Sequence, residues 1–113
     1  MKRNVTRMLC GLVALTAVAV AAAGPRKFTG VITDSMCATA DHSHMKMGPT
    51  DGECAKACVG EHDARYVLYD GRNAYTLNAR RTPEKFAGKN VTVTGTLDAN
   101  TKTIRVDSIA AGK

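Results

Sequence analysis

At 113 residues the chain has room for one small domain, and 16 Lys and Arg against 10 Asp and Glu give a formal charge of +6. Aromatic residues make up only 4% and tryptophan is absent, too few rings for a groove that stacks single-stranded bases. The sequence holds no Gly-rich phosphate loop and no serine in a nucleophile motif, which argues against nucleotide chemistry and acyl transfer.

In chain order, Lys2, Arg3 and Arg7 precede the uncharged apolar run Met8 to Ala23, and Ala21-Ala22-Ala23 sets small residues before Gly24. This is the layout of a secretory signal peptide over residues 1–23. A spanning anchor needs about 20 apolar residues, more than this run supplies. The expectation is therefore a periplasmic or secreted protein with no stable membrane insertion after cleavage, and one domain over 24–113. Lys2, Arg3 and Arg7 carry half of the +6, so the basicity belongs largely to export and no nucleic-acid partner is expected. Cys10 would leave with the leader. Three cysteines remain, in a compartment where thiols oxidise.

Arg26 to Thr33 alternates, with Phe28, Gly30 and Ile32 on one face, and predicts a first strand ended by Asp34-Ser35. Residues 34–49 show no periodicity and close with Gly48-Pro49, a loop. Thr50-Asp51-Gly52-Glu53 has the form of a capping box, opening a helix over Asp51 to Val59 that Gly60 would stop. Arg65 to Asp70 and Ala74 to Asn78 predict a hairpin around Asp70-Gly71. Thr82 as cap and Pro83 at the first helical position predict a short helix reaching Gly88. Lys89 to Leu97 and Lys102 to Ile109 complete the set of strands. The expected core is Phe28, Ile32, Leu68, Leu77, Val91, Val93, Leu97, Ile104 and Val106. Five strands with a helix between the third and fourth is the order of an OB-fold. The expectation is a mainly β, five-stranded OB-like barrel with a loop and short helix inserted between strands one and two.

That insertion concentrates Cys37, His42, His44, Met45, Met47, Cys54 and Cys58. Thiolate, imidazole and thioether are the donors that soft and borderline metals take. Cys54 and Cys58 stand i and i+4 on the helix, one above the other on one face. With Cys37 and either His42 or His44 they would make a Cys3His zinc site; His42 is preferred, since Asp41 could orient its ring. Copper(I) is the rival, because His42-x-His44-Met45-x-Met47 adds imidazoles and thioethers. Periplasmic copper carriers built on an OB-like barrel use similar residues, but often with a tryptophan, which this chain lacks. The candidate ligands are Cys37, His42, Cys54, Cys58, His44 and Met47. The alternative is structural: a disulfide from Cys37 to Cys54 or Cys58 would staple an OB-like interaction module without metal, leaving one thiol over. A bond between Cys54 and Cys58 is disfavoured within a regular helix.

Asp34-Ser35-Met36-Cys37, Cys54-Ala-Lys-Ala-Cys58 and Gly88-Lys-Asn-Val-Thr-Val-Thr-Gly95-Thr-Leu97 together resemble a family of small exported bacterial OB-like domains of unknown function. The resemblance implies a fold and a compartment, and lends no activity. The expected function is an exported, non-enzymatic domain binding zinc or copper(I), with another exported protein open as a further partner. A Cys3His site is coordinatively full and leaves no position for a substrate, so no enzyme is expected.

Overall fold

The structure, a computed structural model, describes residues 24–112; the expected signal peptide over 1–23 lies outside the described residues. The elements are β1 (Arg26–Asp34), α1 (Asp51–His62), β2 (Tyr66–Tyr69), β3 (Ala74–Leu77), α2 (Arg81–Glu84), β4 (Asn90–Asp98) and β5 (Thr103–Ala111). The fold is mainly β, with α1 inserted between β1 and β2. No helix among the described residues is long and apolar enough to cross a membrane.

The five strands close in a ring in the order β1-β2-β3-β5-β4. β1 lies between β2 and β4, antiparallel to both, with Ile32 opposite Leu68 and Phe28 opposite Val93. β3 and β5 run parallel, Leu77 opposite Ile104, and this pairing completes the ring. Strand alternation sends one set of side chains inward. Phe28, Ile32, Leu68, Leu77, Val91, Val93 and Ile104 are buried there, and each fully buried aliphatic side chain contributes roughly 1.5–3 kcal/mol.

Leu97 and Val106, expected inside, are only partly buried against this core. The register gives the reason. β4 starts beside the end of β1 and runs away from it, so Leu97 reaches the far end of the ring, past the irregularity at Thr94/Gly95. The near end is covered by α1, whose Cys54, Ala55, Cys58 and Val59 join the core.

Several boundaries differ from expectation. α1 continues through Gly60 to His62, because Asp63 takes the left-handed cap conformation (φ 56) and its N–H donates to the Cys58 carbonyl. An Asp tolerates that conformation better than most side chains. α2 begins at Arg81 with no side-chain cap, so Thr82 lies inside it and Pro83 sits third rather than first. That position is still tolerable, since the opening N–H groups of a helix have no partner within it.

Candidate metal site

Asp34 ends β1 with its side chain on the ring's inner side, fully buried. Its Oδ1 accepts from the backbone N–H of Met36 (2.9 Å) and of Cys37 (3.1 Å), turning the chain sharply out of the strand. Ser35 pins this turn to the start of β2, donating its N–H to the Arg65 carbonyl and accepting the Arg65 N–H on its hydroxyl. A second turn, with the Ala40 N–H donating to the Cys37 carbonyl, brings His42 back to Asp34. His42 Nε2 lies 3.0 Å from Asp34 Oδ2 and 3.4 Å from Thr33 Oγ1. The Thr33 hydroxyl already donates to the Cys37 carbonyl, so it meets His42 as an acceptor. Two acceptors therefore face Nε2, and the ring proton belongs on that nitrogen.

The helix side is set by Thr50. Its Oγ1 accepts from the Glu53 N–H at 3.1 Å, as expected of the cap. The return half of the capping box differs: Glu53 Oε2 accepts from the Thr50 hydroxyl at 3.4 Å instead of reaching the Thr50 amide. Asp51 and Glu53 place negative charge on the first turn, where the helix dipole favours it. Two glycines make the close approaches possible. A Cβ on Gly52 would run into the Ala87 carbonyl, and one on Gly48 would press on Glu53 and the Cys54 amide. The loop thus lies flat on α1, and α1 sits tight on the turn before β4.

Among the described residues, one group of three candidate ligands comes together. Asp34, Cys37 and His42 are all buried, with a donor atom from each within 4.8 Å of the others. Metal–ligand bonds of roughly 2.0–2.3 Å put tetrahedral donors about 3.3–3.8 Å apart, so a modest contraction would be enough. Cys58 is fully buried beside this group. Its thiol is pushed up to about 12 by burial first, then by Asp34, Cys54 and Cys37. Burial, and then Asp34, raises the Cys37 thiol too. Both are neutral thiols at pH 7. Among the described residues only His42 stands within ion-pair distance of Asp34. A buried carboxylate surrounded by thiols, with no Lys or Arg against it, has the electrostatics a cation would reverse, drawing protons off the sulfurs.

The remaining candidate ligands sit differently. Cys54 is buried and its thiol donates to the Met45 carbonyl at 2.8 Å while accepting the Met47 N–H at 3.3 Å. As a plain thiol it already fastens the loop to the helix, and ligation would remove the thiol proton that it donates to the Met45 carbonyl. Met47 packs against the core, partly buried. His44 is exposed on the loop. None of Cys37, Cys54 and Cys58 is in a disulfide. Asp41, expected to orient His42, instead accepts the Ser43 N–H, and Asp34 holds the ring. Asp34 was read from sequence as a turn residue. Its Oδ1 does serve the turn, and its second oxygen serves the site.

A cleft of about 470 Å³ opens over this region, lined by Asp41, His42, Lys46, Thr50, Asp51 and Cys54 among others. His42 Nδ1 is buried and has no hydrogen-bond partner. Asp51 Oδ1 lies 3.3 Å from it, outside hydrogen-bonding geometry.

No curated protein and no solved structure matches the chain. Residues 64–112 match the family described as Protein of unknown function (DUF5818), a stretch that runs from Ala64 through β2, β3, β4 and β5 and leaves Asp34, Cys37, His42, Cys54 and Cys58 outside it.

Proposed function

We propose that this chain is an exported, OB-like metal-binding domain that holds zinc or copper(I) at the end of the strand ring, and that it binds its metal without catalysing a reaction. The observation that carries the reading is the buried Asp34–Cys37–His42 group, three donor types within 4.8 Å of one another, with Cys58 and Cys54 on the helix beside it. Support for the OB-like reading comes from the closed five-strand order, the parallel β3–β5 closure and the short α2 before β4. In such barrels the connection between strands one and two commonly lies at the binding face, and here it carries the cluster. Export is supported by the basic, apolar and small-residue pattern of residues 1–23. A metal handed to or taken from another exported protein would suit a site reached through a cleft.

Native mass spectrometry of protein purified without oxygen tests the reading, since it reports bound metal and cysteine oxidation in one spectrum. One zinc or copper per chain, lost in Cys37→Ser and in His42→Gln, is the expected result. A chain that has lost two hydrogens, carries no metal and takes up neither ion after reduction would replace the metal site with a disulfide staple.

A further inference from the structure

His42 has two faces, and only one is occupied. Asp34 Oδ2 and Thr33 Oγ1 both accept at Nε2, which keeps the ring proton there. Nδ1 is buried on a residue only 7% exposed and has no hydrogen-bond partner. Asp51 Oδ1 lies 3.3 Å away, outside hydrogen-bonding geometry, on a side chain that is 70% exposed. A buried imidazole nitrogen and a carboxylate this close on the wall of an open cleft are an unfavourable pair unless a proton or a metal cation bridges them. Asp41 also lines this cleft, with Lys46 as the only cation among its lining residues.

Resting on the metal-binding reading above, we infer that the ion is a borderline divalent cation of the zinc class, held through His42 Nδ1 and the Asp51 carboxylate on the cleft side. Of the three candidate ligands in the buried group, Asp34 is then not a donor to the ion but a positioning residue, holding the ring through Nε2 as a carboxylate behind a metal-bound histidine does. The donor chemistry separates zinc from copper(I). Thiolate serves both ions, so the separation rests on carboxylate and imidazole, which suit zinc, against thioether, which suits copper(I). Met47 is packed against the core and His44 is exposed on the loop, outside the group of converging donors, so the thioether and second imidazole that favour copper(I) are not gathered at this point. The cleft also gives the ion a way in and out without opening the ring.

The test is ring nitrogen NMR on the reduced, isotope-labelled chain, before and after one equivalent of zinc. Nδ1 of His42 should move to a metal-bound position while Nε2 keeps its proton. Chelator competition should show zinc affinity falling about tenfold or more in Asp51→Asn. Thr50 still caps α1 in that variant, so its folding is not in question. Zinc bound through Nε2, an unchanged affinity in Asp51→Asn, or copper(I) displacing zinc at equal concentration would overturn this inference and leave the metal-binding reading standing. Failure of the unaltered chain to bind zinc or copper(I) would remove both.

Discussion

In the strand ring, Ile32, Leu68, Leu77, Val91, Val93 and Ile104 are packed almost entirely out of water, each against several of the others. Between β1 and α1 the chain has nothing comparable. Its order comes from single polar hubs: Asp34 holding two amides and His42, Thr33 holding the Cys37 carbonyl, and the Cys54 thiol holding Met45 and Met47. Apolar packing is spread over many contacts and degrades gradually. A polar hub fails locally, because one side chain holds several groups at once; Met36 loses its acceptor outright, while Cys37 and Met47 fall back on backbone carbonyls. The ring therefore sets whether the protein folds, and the hubs set whether the donors meet.

Leu68→Ala should show the ring's side of this contrast most strongly. It removes a fully buried side chain opposite Ile32, and the loss should be about 2–5 kcal/mol of global stability by urea unfolding. Asp34→Ala comes next, with about 1–3 kcal/mol expected from the freed Met36 amide and the buried His42 ring left without its carboxylate, while the Cys37 N–H keeps the Asp34 backbone carbonyl. Hydrogen exchange should speed up at Met36 and its loop while the amides of β4 and β5 stay protected; equal loss of protection in the ring would erase the distinction between the two regions. Alkaline pH sharpens it further. The Cys58 thiol has an ordinary value of 9.0 and is held up to about 12 in the fold. Above pH 9 the unfolded chain loses this proton while the folded chain keeps it. Stability is thus complete below pH 9 and falls as pH rises to about 12. Cys58→Ala should flatten that fall, with Tyr66, also held up to about 12 chiefly by burial, accounting for part of what remains. The smallest effect belongs to Thr50→Ala. Losing the cap should cost about 1 kcal/mol and loosen the first turn of α1, seen as faster exchange at Glu53 and Cys54.

The same contrast explains what could be read from the residues alone. Strict alternation in β4, with Val91 and Val93 inward and Thr92 and Thr94 between them, is a period that only a strand satisfies. The start of α1 was legible in Thr50, and its buried face in the i, i+4 spacing of Cys54 and Cys58. Its end was not: Gly60 looked like the stop, but the left-handed position fell to Asp63, and either residue type can take it. For the candidate site, composition brought the donors into one stretch, and the preference for His42 over His44 rested on Asp41, which binds the Ser43 amide instead. The choice depends on two successive turns that fold His42 onto Asp34, eight residues back, and no periodic signal encodes such a return. Asp34 itself was hidden by ambiguity. An aspartate after a strand is an ordinary turn former, and nothing local shows that its second oxygen faces inward.

Cobalt(II), a zinc-class ion with a visible spectrum, gives the most direct measurement of the central claim that the end of the ring binds a cation through buried thiols and His42. Added to the reduced chain without oxygen, it should produce intense tetrahedral d–d bands and a thiolate-to-cobalt charge-transfer band. Both should weaken in Cys37→Ser and in Asp34→Asn. A spectrum indistinguishable from that of cobalt in water, from a chain whose thiols are shown to be reduced, would contradict the claim.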